Sequence, residues 1–133
     1  MLVSWAATDL ESGRFSARER TSAVAELTEH FSALRSRGQG YLEVSLPGDE
    51  FPWLTLGFQG AQAVVHLFSD AEKSALLIGD ATAAADAVVH VPIMDDPAGF
   101  SGDYVLATDH AWALIHRFIQ TGEPGELGEW QEL

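Results

Sequence analysis

The five histidines, His30, His66, His90, His110 and His116, are the side chains best suited to acid–base or metal chemistry. His110 and His116 are six apart, so on a helix they point to different faces, whereas a chelating pair needs a spacing of three or four. His66 and His90 lie in separate strand-like runs, where they either meet across a sheet or serve as structural or solvent-facing residues. Asp95-Asp96 precedes Pro97-Ala98-Gly99. As a carboxylate pair it has the composition of a cation or acid/base site, but neighbouring residues rarely point the same way, and Asp-Pro is common turn chemistry. There is no nucleotide-binding glycine loop and no nucleophile elbow around a serine. With no cysteine, thiolate zinc, disulfide and iron–sulfur chemistry are excluded. The expectation is a chain with no catalytic residue, no metal and no cofactor.

Charge is more informative. Twenty acids face seven bases, for a net −13. Residues 1–37 are neutral, with five of each sign; the remainder holds only Lys73 and Arg117 against fifteen acids. The whole excess therefore lies after residue 37. Such a surface repels nucleic acid and anionic lipid. It attracts basic proteins and accelerates encounter with them, or else simply keeps the protein soluble. Trp5, Trp53, Trp112 and Trp130 are spread along the chain, and large aromatics anchor cores or interfaces. Trp130 sits among Glu123, Glu126, Glu129 and Glu132, either pinning a tail to the fold or serving as an anchor ringed by steering charge.

The elements that must position these residues follow from periodicity. Val24, Leu27, Phe31 and Leu34 make one apolar stripe and predict a helix from about Thr21 to Arg37. Thr21 or Ser22 can cap it, and Ser16-Ala17-Arg18-Glu19 resembles a capping box that would start it earlier. Gly38 stops it. Ala111, Leu114, Ile115, Phe118 and Ile119 predict a second helix, with Thr108 as N-cap, Gly122 as its end and Pro124 beyond. Between them, short strand-like runs cover 40–46, 53–58, 63–68, 75–78, 88–94 and 104–107, with residues 1–7 a further candidate. The breaks between them are too short for parallel crossovers. Pro92 places its strand at an edge. Residues 81–87 are left as a helical turn or a loop. The predicted fold is a single α+β domain over residues 1–133: a meandering antiparallel sheet with two main helices packed on it. No run of about 18 apolar residues exists to span a membrane, and no basic, apolar leader opens the chain.

The last third carries a resemblance. Phe100-Ser101-Gly102-Asp103, then Val105-Leu106-Ala107-Thr108-Asp109, lead into the second helix. Phe118-Ile119-Gln120-Thr121-Gly122-Glu123-Pro124 close that helix, and Trp130-Gln131-Glu132-Leu133 end the chain. Together with Tyr41-Leu42-Glu43-Val44 and the run from Trp53 to Gly57, this resembles the first-numbered family of bacterial polymorphic-toxin immunity proteins. Gln131 stands where that family usually has an acid, and Asp103 near an expected glutamate. The resemblance implies a cytoplasmic protein that binds and neutralises a cognate, basic toxin protein, with no enzymatic activity. The expected contact residues are the acids Asp95, Asp96, Asp103, Glu123, Glu126, Glu129 and Glu132, with Phe100, Tyr104 and Trp130 as anchors. A small-molecule-binding α+β domain, or a small enzyme with a sheet–helix pocket, is the alternative; pairing into a homodimer through a sheet edge stays open.

Overall fold

The computed structural model describes all 133 residues. In it the chain folds as expected into an α+β domain. Its exposed surface is 6836 Å², close to the ~6,800 Å² expected from its mass. Strand β1 (Leu2–Thr8) pairs antiparallel with β2 (Phe15–Ala23), which passes directly into helix α1 (Val24–Arg37). Next come β3 (Gln39–Ser45), β4 (Trp53–Gln59), β5 (Gln62–Phe68) and β6 (Ser74–Leu77). A separate hairpin, β7 (Val88–Ile93) and β8 (Asp96–Ser101), precedes the two-residue β9 (Leu106–Ala107) and helix α2 (Thr108–Thr121). The chain closes with β10 (Trp130–Glu132). The main sheet is antiparallel in the order β10-β6-β5-β4-β3-β1-β2, with β9 beside β5.

One face of this sheet carries both helices. Alternate residues of its strands, among them Val3, Trp5, Leu42, Leu56 and Phe58, meet Leu27, Phe31, Ile115 and Phe118 in the main core. Phe31 ties the helices together. Its ring stacks on Trp112 at 4.2 Å and tilts against Phe58 at 5.4 Å, geometries that add to the burial of three large rings. Both helices end as expected, with Gly38 and Gly122 in the left-handed conformation at φ 94° and 70°.

Their starts differ from expectation. Helix α1 begins at Val24, and the apparent capping box at Ser16 lies inside β2. Thr21 and Ser22 are strand residues: Thr21 Oγ1 bonds Ser4 Oγ, and the Trp5 indole N–H donates to Ser22 Oγ. These hydroxyls serve the strand pair and leave Ala23 as an uncapped N-cap. Thr108 is the first helical residue of α2, not its cap. Its hydroxyl donates to the Gly60 carbonyl at 2.9 Å, tying the helix to the β4–β5 turn.

The opposite face is half covered. The β7–β8 hairpin lies over β3, β4 and β5, with a small core of Val64, Leu76, Val89, Val91 and Val105. Gly57 sits in the middle of β4 where the hairpin backbone crosses; a Cβ there would come 2.4 Å from the Pro92 carbonyl oxygen. Pro92 lies at an edge as expected, since β7 pairs only with β8. The hairpin turn falls at Met94-Asp95, one residue before the expected break, because Asp96 already pairs with Ile93. No helix is long and apolar enough to cross a membrane.

Candidate functional site

Beside the hairpin, which crosses β3 and reaches β2 at its tip, the part of this sheet face next to the β3–β4 loop is left uncovered. Side chains that alternate away from the helices line it: Ser4 and Ala6 from β1, Ala17 and Glu19 from β2, Glu43 and Ser45 from β3. The β3–β4 loop adds Asp49 and Glu50, and Trp53 at the start of β4 forms a wall. The result is a shallow depression of about 240 Å³ with four carboxylates and no cationic side chain.

Its electrostatics follow from burial. Glu43 is half-buried, and loss of hydration raises its carboxyl above the ordinary range; the Tyr41 hydroxyl opposes this by donating to Oε2 at 2.9 Å, and the Glu19 charge adds to the rise. Burial also raises the Tyr41 hydroxyl, followed by the neighbouring Glu43 charge. Trp53 is held upright by stacking on Phe68, centroids 4.1 Å apart. No histidine lines the depression, and Ser4 Oγ is engaged by Thr21. Carboxylates beside an indole face suit a guanidinium or ammonium group, which gains charge-assisted hydrogen bonds and a cation–π contact.

Few of the acids are neutralised internally. Of the twenty, Asp109 pairs with Arg35 at 3.3 Å, and Asp80 lies 2.8 Å from His110 Nδ1, a contact that is an ion pair only when the ring is protonated; no other acid meets a basic side chain. Asp80 also accepts from Thr82 and from the Ala107 amide. Against the upward push of burial, the bonds from Thr82, His110 and Ala107 hold its pKa down to about 2.

The residues expected from sequence divide into separate places. Glu123, Glu126, Glu129 and Glu132 are exposed around the β10 edge. Trp130 is half-buried against the main core, with its indole N–H donating to the Pro124 carbonyl, so it pins the tail. Asp95 and Asp96 are exposed at the hairpin tip, and Asp95 accepts from the Phe15 amide on β2 at 2.7 Å. That places them near the other edge of the sheet, six strand spacings away, on the order of 30 Å. Asp103 is exposed in the turn after β8, while Phe100 of β8 and Tyr104 just after it pack half-buried against the small core between hairpin and sheet. His66 also lies under the hairpin, its ring 5.5 Å from Phe100, whereas His90 faces solvent.

Sequence reasoning passed over Glu19, Glu43, Asp49, Glu50 and Trp53 as a group. Glu19 was hidden by the false capping box. Glu43 was detectable: in a strand Tyr41 and Glu43 share a face opposite Leu42 and Val44. The fold and the site together define an antiparallel α+β domain with an acidic, partly uncovered sheet face. No protein-family model matches the chain, and no curated protein matches it.

Proposed function

We propose that this chain is an immunity protein, one that binds and neutralises a cognate bacterial toxin domain in the cytoplasm, with its acidic face as the docking surface. The observation that carries the reading is the set of carboxylates around the open depression, Glu19, Glu43, Asp49 and Glu50, which have no cation of their own. A toxin acting on nucleic acid carries a basic cleft. Carboxylates presented to that cleft stand where phosphates would lie, and complementary charge speeds encounter. The resemblance of residues 38–133 to polymorphic-toxin immunity proteins supplies the toxin as partner. The Glu43–Tyr41 pair and Trp53 form the centre of the docking face, where desolvated contacts set residence time. The tail acids, Glu123 to Glu132, together with Asp95, Asp96 and Asp103, add long-range attraction from the flanks. At about 240 Å³ the depression is smaller than the ~300–1,000 Å³ typical of small-molecule pockets, so a protein side chain fits it better than a metabolite.

The test is co-expression with the large open reading frame next to its gene. The neighbour should arrest growth alone and be harmless with this protein, and the two should co-purify as a 1:1 complex. Association should slow at least ~10-fold between low and physiological salt. Reversing Glu19, Asp49 and Glu50 to Lys should abolish rescue, while reversing Glu123, Glu126 and Glu129 should slow association only. A neighbour that is harmless alone, or a complex whose association ignores salt, overturns the reading; rescue that survives the first triple and fails with the second moves the docking face to the tail.

A further inference from the structure

The excursion between β6 and β9 is built unlike the rest of the molecule. Residues 80–104 leave the sheet, form their own two-stranded sheet with no ladder to the main one, and return. Their neck is tight: the Gly79 amide donates to the Asp103 carbonyl at 2.6 Å and the Asp80 amide to the Val105 carbonyl at 3.3 Å. A Cβ on Gly79 would lie 2.4 Å from the Val105 oxygen, so the two limbs cross in backbone contact. At the far end one hydrogen bond holds the tip, from the Phe15 amide to Asp95 Oδ1. Between neck and tip the segment rests on the sheet through the small core around Val64, Leu76 and Val91, separate from the main core. A unit with few buried contacts and its own internal hydrogen bonds is what opens locally below the global unfolding free energy.

We propose that residues 80–104 form a hinged strap that docks on and lifts from the sheet as a unit, with proton uptake by His66 favouring the lifted state. His66 is on β5 beneath the strap, with Phe100 of the strap against its ring edge at 5.5 Å. The groups facing it are Thr55 from β4, Leu76 from β6, Val64 and Phe68 from β5 itself, and Phe100; none carries charge. The carboxylate in line with it on that face is Glu43, across Thr55 on β3. Of the strap's own titratable groups, Asp80, Asp86, His90, Asp95, Asp96 and Asp103 are exposed and Tyr104 is half-buried against the small core; His110 at the neck is exposed.

Burial lowers the His66 pKa from 6.5 to about 4 when the strap is down. The docked strap therefore prefers neutral imidazole. Its advantage is complete above the free value and is lost as pH falls from 6.5 towards 4. As protons bind, the lifted-to-docked ratio rises towards a limit of about 300-fold, the factor by which the two proton affinities differ, and that limit is approached only below pH 4. Asp80 at the neck titrates lower, near 2, so His66 acts first on acidification.

Amide hydrogen exchange on the full chain tests this from pH 7.5 to 4.5, corrected for intrinsic rates. The amides of Phe15, Gly79 and Asp80, which close the tip and the neck, should lose protection about 10- to 100-fold more than those of Leu54 and Leu56 in the main sheet. His66→Gln should abolish the difference between pH 7.5 and 4.5, while Glu43→Gln and His90→Gln should retain it. At neutral pH, Gly57→Ala pushes a methyl into the Pro92 carbonyl and should expose the same amides; the tip variant Asp95→Ala, which removes the Phe15 acceptor directly and touches no core residue, should expose Gly79 and Asp80 more weakly. Equal protection of strap and sheet amides at every pH, or acid-induced exposure that survives His66→Gln, overturns the proposal.

Discussion

Glu43 shows how one residue couples the fold to the open face. Its neighbours on β3, Leu42 and Val44, are buried in the main core, so strand alternation drives its carboxyl to the other side, beside Tyr41. There it is half-buried, near Glu19 and without a cation. Because burial raises its folded-state pKa, the folded chain favours the protonated acid. The stability this group contributes is present below its free value of 4.5 and is lost as pH rises through the raised folded value. At neutral pH the native state thus holds a charge it would rather not have. Glu43→Gln keeps an oxygen to accept from Tyr41 and removes that charge. Thermal unfolding should show a midpoint higher by about 2–4 °C at pH 7 and little change at pH 4. An unchanged midpoint at pH 7 would mean that water reaches the carboxylate freely.

Among the elements, α2 was the most legible and β2 the least, and the difference is physical. In α2 the apolar side is a continuous stripe, and Ala111, Ile115, Phe118 and Ile119 are all buried on β4 and β5. Removing most of the Ile115 side chain leaves a void enclosed on every side, so Ile115→Ala should cost about 2–5 kcal/mol in denaturant unfolding. By contrast Leu114, half-buried at the margin of the same stripe, should lose less when cut to Ala. Strand β2 has no such stripe. It is the sheet's outer strand, exposed on both sides over most of its length, so alternation of apolar and polar residues never appears. Only its partners reveal it, through Ser4, Trp5 and the register shift between Trp5 and Ala7. Strand β8 escaped notice for a similar reason: Pro97 and Gly99 read as turn residues, yet pairing with β7 alone tolerates them in an outer strand. The same blindness hid the open acidic face, because Glu19 belongs to β2. Charge on β2 has a use of its own. Two copies pairing edge to edge about Glu19 would set Arg18 against Arg20 and Glu19 against itself, a like-charge match that discourages sheet extension.

The molecule as a whole is defined by where its charge is not cancelled. The sequence made the size of the excess plain and confined it to residues after 37; it did not tell which carboxylates share a surface, because that depends on strand order. The sheet order sends the tail acids to one edge and the hairpin-tip acids towards the other, with the depression between the tip and the β3–β4 loop. With only Asp109 paired to a permanent cation, mutual repulsion among the other acids acts against the compact state at neutral pH. Salt shortens the reach of that repulsion, from ~30 Å at 0.01 M to ~8 Å at 0.15 M. The free protein should therefore gain stability between these concentrations of sodium chloride, seen as a rising urea midpoint at constant slope. Its complex with a basic partner should lose association rate over the same range. The two trends have opposite sign because one set of unpaired carboxylates repels itself in the free chain and, in the proposed complex, would attract the partner. A midpoint that falls with added salt would mean that the Arg35–Asp109 and His110–Asp80 pairs outweigh the unpaired majority, and the acidic face would lose its standing as a surface that a cationic partner relieves.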